Sequence, residues 1–379
     1  MAGSLVTTNI LQTMVAMGLS TLRERCLMPR IVNRQYESDI VGSRRGATVN
    51  VAVPASISTR TVSPDVVLPA VTAVTPTSVA VTLDQWEEAA FAMSDKAIAQ
   101  VQDGIIPMQM DEAVKALSNS IDQYLWGFYN RFYSFVGTAG TTPFANSFSD
   151  YLSARKLANT ELMPPTDRHV LIDEAAEANV LGLRGAQDAS FRGSTEGIRR
   201  GEMGFLLGSD WAMTQNVPTH TVTGTGTVLV NDASVSVGDT TLTWDGGGTA
   251  PAIGDVFTVA GDTQTYVVES STSTVITMHP AARVAWADNA AVTFKGDGSS
   301  YPANLLLHRD AIAFASAPLE ETAMTESKRQ KTATAIDEES GLALRLTIFD
   351  QGYYQTQWSF DCLYGANVVR RELGVVIAG

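Results

Sequence analysis

The chain has 379 residues, 45% of them apolar, which is enough for two or three compact units, each with a core of its own. Its formal net charge of -14 leaves no overall basic surface to displace counterions from a phosphate backbone, so tight binding to nucleic acid is not expected. The two cysteines, Cys26 and Cys362, stand far apart in apolar contexts and are read as reduced, buried thiols rather than a disulfide framework.

No run reaches about 18 consecutive apolar residues, so no membrane-spanning helix is expected. The apolar side of Asn9 to Leu22 is followed by Arg23, Glu24 and Arg25, the reverse of the charge order in an export signal. A helix is predicted there, with Leu11, Val15 and Leu22 at apolar positions and Ile10, Met14 and Met17 beside them, ended by Pro29. It packs either on its own domain or, as an arm, on a neighbouring subunit. From Tyr36 to Thr82 the pattern alternates at Ala47 to Val53, Ser56 to Val62 and Ser78 to Thr82, with Pro64, Pro69 and Pro76 between. Such a long irregular hairpin is unusual inside a compact domain. It is either an ordered surface hairpin or an extension that packs outside its own chain.

The longest predicted helix starts at Asp111 and runs to about Tyr133, with Val114, Leu117, Ile121, Leu125, Phe128 and Phe132 at three- and four-residue steps. At about 1.5 Å per residue it is a rod of roughly 35 Å, and its aromatic second half is read as core. A helix from Phe148 to Ala158, a strand from His169 to Ile172 and an acidic helix from Asp173 to about Val180 suggest a small α/β layer. The stretch from Gly201 to Thr221 reads as a loop-rich lead into a segment of β character.

Between His220 and Phe294 the chain is rich in Thr, Val, Gly and Ser, and Arg283 is its single Lys or Arg. Alternating runs at Thr227 to Val230, Ser234 to Val237, Thr241 to Trp244, Val256 to Ala260, Thr265 to Val268, Thr274 to Met278 and Ala291 to Phe294 are separated by Gly- and Asp-containing turns. This predicts an antiparallel sandwich or barrel, inserted in the surrounding fold. Strand character resumes at Tyr301 to Leu307 and Ile312 to Ala315, Glu320 to Lys331 reads as a polar connector, and Leu342 to Phe349, Tyr354 to Leu363 and Ala366 to Ile377 close the chain.

Chemistry is thin. None of His169, His220, His279 and His308 has a metal-ligand partner at helical spacing, and no nucleophile elbow is present, so neither a metal nor a cofactor is expected and the chain is not read as an enzyme. Asp239, Asp245 and Asp262 match no calcium loop, and Glu87-Glu88 and Glu320-Glu321 are adjacent pairs read as solvated.

Several segments, in this order, resemble the P22-like major coat proteins of tailed bacteriophages, which have the HK97 fold. They are Thr48-Val49-Asn50-Val51, Val81-Thr82-Leu83-Asp84-Gln85-Trp86, Gly208-Ser209-Asp210-Trp211, Asn216-Val217-Pro218-Thr219-His220-Thr221, Ile253 to Gly261, and Gly365 with Val368 to Val376. The resemblance extends over nearly the whole chain. It implies an α+β, HK97-like capsid fold: an N-terminal arm (1–35), an E-loop (36–83), a peripheral domain with a long spine helix (84–143 and 330–379), an axial domain (144–219 and 295–329) and an inserted all-β domain (220–294). It further implies a structural protein of an icosahedral virion capsid that encloses double-stranded DNA without sequence-specific binding, assembled in the host cytoplasm. Its partners would be its own copies in hexamers and pentamers, a scaffolding protein and a portal, with no membrane.

The expected inter-subunit contacts are Leu11, Met14 and Val15 on the arm and Arg44, Arg45 and Arg60 in the E-loop. Some coats of this fold are crosslinked through an E-loop lysine, but no lysine precedes Lys96 here, so no covalent chainmail is expected. The alternative from another class is a carbohydrate-binding or adhesin-type protein, with exposed aromatics of the β module, among Trp244, Phe257, Tyr266, Trp286 and Phe294, as its stacking platform.

Overall fold

The computed structural model describes residues 13–18, 20, 26–36, 46–54, 57, 59, 61, 77–96, 105–188, 199, 201, 203–226, 228–232, 234–246, 248–319, 330–336 and 342–379. The chain divides into two compact units, one of Met1–Arg23, Arg34–Leu117 and Ile312–Val369, the other of Glu24–Asn33, Ser118–Ala311 and Arg370–Gly379.

The first unit is built on a five-stranded antiparallel sheet whose long strand, Gln355–Val368, pairs with Ala343–Gly352, Gln85–Ser94 and Ile312–Ala317. Gln330–Ile336 pairs with Ala343–Gly352, so the expected polar connector becomes a strand at its end. The N-terminal helix packs here: a Cβ on Gly18 would sit 3.2 to 3.3 Å from side-chain atoms of Leu344, Phe360 and Val114. Thr48–Val53 pairs with Thr77–Thr82 to form the base of the predicted hairpin. Its alternation sends Val51 and Val81 into a cluster with Leu83, Ala313, Ala315, Ala317 and Leu363, so this base is packed on its own unit. Most of the predicted run Ser56 to Val62, and residues 62–76, lie outside the described residues.

The second unit holds a mixed sheet in the order Ser134–Gly137, Gly374–Ala378, Ser300–His308, Arg168–Ile172, Ser209–Met213, Gly204–Leu206, with Thr219–Thr221 also paired to Ser300–His308. The helix Ser149–Thr160 buries Tyr151, Ala154 and Ala158. The segment expected to be all-β contains a closed antiparallel barrel of Val228–Val230, Thr241–Gly246, Val275–His279, Tyr266–Ser271, Val256–Val259 and Ala291–Phe294. Ser234–Val235 pairs with Trp286–Ala287, a two-residue strand too short to leave a pattern. Both ends of the barrel segment emerge from one antiparallel pair, since Thr221, His220 and Thr219 face Ser300, Tyr301 and Pro302.

Two expectations shift. The long helix spans Ile105–Trp126 and continues as a 3-10 helix over Gly127–Arg131, instead of starting at Asp111 and running to Tyr133. Pro107 falls in the first turn, where the N–H it lacks would have no partner within the helix, and Gly127 weakens the α-helix at the other end. The loop-rich lead contains the hairpin Gly204–Leu206 and Ser209–Met213. Late strands complete both sheets: Ile312–Ala317 pairs with Gln355–Val368 in the first unit, and Gly374–Ala378 pairs with Ser300–His308 and Ser134–Gly137 in the second. A strand's partner is set by a non-local ladder that no local pattern encodes.

Candidate functional site

Two stretches singled out in the sequence, Asn216 to Thr221 and Ile253 to Gly261, meet at the root of the barrel. The 3-10 turn that ends the long helix presents the Tyr129 hydroxyl 2.8 Å from His220 Nδ1, and His220 Nε2 lies 2.9 Å from Asp255 Oδ1. A carboxylate only accepts, so Nε2 carries the proton, Nδ1 is the acceptor in the neutral ring, and the Tyr129 hydroxyl donates to it. The second oxygen, Asp255 Oδ2, accepts the backbone N–H of Gly224 and Ala252 at 2.9 Å each and that of Thr223 at 3.2 Å. Asp255 is fully buried, and these donors compensate its desolvation.

The surroundings close the site. Tyr301, cross-strand from His220, has its ring centroid 5.3 Å away, and Phe135 packs edge-on against Tyr301 at 5.5 Å. Gly254, at φ +95°, lets this loop approach so closely that a Cβ would lie 2.6 Å from Asn130 Cβ. Burial, with the charge of Asp255 adding to it, raises the Tyr129 phenol above its ordinary pKa, which keeps it protonated. With both ring nitrogens engaged and the phenol deactivated, the trio is a clamp that joins the barrel to the end of the long helix. It has no activated nucleophile.

Two further polar contacts hold the second unit. Asp122, buried on the long helix, accepts the Met28 N–H at 2.8 Å and the Asn216 side-chain amide at 3.0 Å, so it ties a segment near the N-terminus and the approach to the barrel to one turn of helix. Burial raises its pKa against these hydrogen bonds. Arg371 pairs with Glu269 on the barrel strand Tyr266–Ser271. In the first unit, Arg345 forms a bidentate pair with its cross-strand neighbour Asp361, whose Oδ2 also accepts the Trp86 indole N–H at 2.8 Å.

Of the expected contact residues, Met14 and Val15 are among the described residues. Val15 is fully buried and Met14 is half-buried. Leu11, Arg44, Arg45 and Arg60 lie outside the described residues. Two of the aspartates considered for calcium make local contacts: Asp239 accepts the Ser236 N–H at 2.7 Å and Asp262 accepts the Tyr266 hydroxyl at 2.6 Å. Among the described residues no group of three or more His, Cys, Asp or Glu is placed to hold a metal ion, and no helix is long and apolar enough to cross a membrane. Cys26 and Cys362 are both buried thiols. Trp244, Phe257, Tyr266, Trp286 and Phe294 are all buried, so none offers an exposed face for stacking a sugar. Glu88 is exposed and also accepts the Ser359 hydroxyl at 2.6 Å.

No family model and no curated protein matches the sequence. Solved structures do. A structure from Mycobacterium phage Che8 aligns with a TM-score of 0.52 at 15% identity, over 93% of this chain and 90% of that one. The capsid structure of the Cyanophage P-SCSP1u aligns with a TM-score of 0.50 at 12% identity, over 89% of this chain and 84% of that one. This chain has a phage-capsid fold. The barrel root is a structural joint, and the sequence did not single out Tyr129 or Asp255 for this role. Gly254-Asp255 resembles any hairpin turn, since the donors that fill the carboxylate are backbone amides.

Proposed function

We propose that this chain is the major capsid protein of a tailed bacteriophage, of the P22-like coat family with the HK97 fold, and that its copies assemble into an icosahedral shell around double-stranded DNA. The extent of the likeness carries the reading: it takes in 93% and 89% of this chain in the two alignments, far more than the barrel. Residues 1–35 act as the N-terminal arm and 36–83 as the E-loop. Residues 84–143 and 330–379 serve as the peripheral domain, 144–219 and 295–329 as the axial domain, and 220–294 as its insertion.

The role is structural, without catalysis. Copies of the chain are its main partners, in hexamers and pentamers, joined by a scaffolding protein and a portal, and its place is the virion capsid after assembly in the host cytoplasm. The net charge of -14 favours a container that encloses DNA without gripping its phosphates. Negative-stain microscopy of the purified chain, alone and with its scaffolding partner, should reveal shells or capsomers. A monodisperse monomer under every condition overturns the reading.

A further inference from the structure

The hairpin of Gly204–Leu206 and Ser209–Met213 violates two local rules at its tip. Its turn residues Leu207 and Gly208 both have positive φ, 51° and 85°. Asn or Asp followed by Gly ordinarily occupies such a turn, because a branched side chain is strained there. The tip is also apolar in water, with Phe205 68% and Leu207 42% exposed. Gly204–Leu206 ends the mixed sheet among the described residues, so Phe205 stands on an edge strand.

This tip is held rigidly from behind. The Leu207 carbonyl accepts the Tyr151 hydroxyl at 3.0 Å and an Arg155 guanidinium N–H, and the Leu206 carbonyl accepts the Trp211 indole N–H at 3.0 Å. Tyr151 and Trp211 are themselves buried. Strain that is over-determined by its surroundings and displayed on the surface marks a preorganised contact rather than a slack loop.

We propose that this tip is a contact between copies of the chain, with Phe205 and Leu207 seated on a second copy; the inference rests on the self-assembly reading above. The net charge of -14 makes two copies repel at long range, so a contact between them gains from apolar side chains. Two such side chains bury on the order of a few hundred Å², well short of the roughly 1,200 Å² of a stable isolated pair. The contact is therefore weak singly and effective only when repeated, which is the situation of a subunit in a closed symmetric assembly.

The test uses the full chain with Leu207→Asn, which suits the positive φ, and with Phe205→Ser, each compared with wild type by thermal melting and by sedimentation velocity and microscopy over a concentration series. Both variants should melt no lower than wild type as subunits, yet need roughly tenfold higher concentration to assemble. Unchanged assembly by folded variants, while wild type forms particles, overturns this contact and leaves the capsid reading standing. A wild-type chain that never associates overturns both.

Discussion

A Cβ placed on Gly365 would lie 1.9 Å from the carbonyl oxygen of Thr82 and 3.0 Å from the Leu83 Cα. The exit of the long hairpin therefore rests directly on the backbone of the central strand, and only a residue without a side chain permits that. Gly365→Ala should destabilise the first unit by about 1–3 kcal/mol or more, because backbone cannot yield as a side-chain tip does. Gly127→Ala, where a new Cβ meets nothing within 4 Å, is the matched control. Denaturant melts of the two variants decide the matter, and equal midpoints would refute the close-approach argument.

Gly365 was one of the residues on which the resemblance rested, yet its physical role needed coordinates. The barrel was far more legible. Period-two alternation with Gly-Asp turns is a local signal, and the strands from Val228 to Phe294 other than Trp286–Ala287 fall on the predicted runs. Gln85–Ser94 was missed because its Glu-Glu-Ala-Ala centre lacks alternating polarity, and neither of its faces is fully buried. Gly204–Met213 was missed because its turn uses Leu where a hairpin signature has Asn. Strand membership was unreadable for Gly374–Ala378, whose pairing with Ser300–His308 spans about seventy residues of chain. The clamp around Asp255 was illegible because most of its partners are peptide N–H groups, which every residue but proline has.

Stability should fall on mild acidification. Burial lowers the pKa of His169, His279 and His308 from 6.5, outweighing the pull of carboxylates that include Asp210, Glu372 and Asp310 respectively. The unfolded chain then takes up these protons before the native one, so the stabilisation is complete above pH 6.5 and declines as pH drops below it. Asp122 has the opposite sign: burial raises its pKa from 3.8, and its contribution fades as pH rises past that value. Melting temperature should hold steady above about pH 7 and descend toward pH 5, with a shallower descent when any of the three histidines becomes Gln. A flat profile from pH 7 to 5 would contradict this.

The hairpin joining Ala343–Gly352 to Gln355–Val368 carries Tyr353 and Tyr354 at φ 50° and 61°, both largely exposed. Side chains in this region cost about 1–2 kcal/mol per residue. Replacing the pair by Asn-Gly should therefore raise the stability of the isolated subunit by about 1–3 kcal/mol, read as a higher midpoint in urea at unchanged slope. A lower midpoint would show that the tyrosines contribute to the subunit's own packing.

On the proposed reading of residues 36–83 as an E-loop, crosslinking through a lysine there is not available, because the first lysine is Lys96. Mature particles boiled in detergent should run as a single monomer band on denaturing electrophoresis. A ladder of covalent oligomers would require another residue to form the bond.

The barrel root should be the most sensitive joint of the second unit. Asp255→Ala strands the His220 Nε2–H and the amides of Thr223, Gly224 and Ala252 in a buried site, whereas Tyr129→Phe removes one donor and leaves Nδ1 with an unfilled lone pair. Each buried group left unmatched costs about 1–3 kcal/mol. Asp255→Ala should thus cost several times as much as Tyr129→Phe and speed hydrogen exchange at Thr223, Gly224 and Ala252. Both changes should act through the barrel's attachment, with the barrel's own ladder less affected, because its strands pair with one another in a closed ring. If exchange rises equally across Thr241–Gly246 and Val275–His279, Asp255 supports the whole barrel rather than its root.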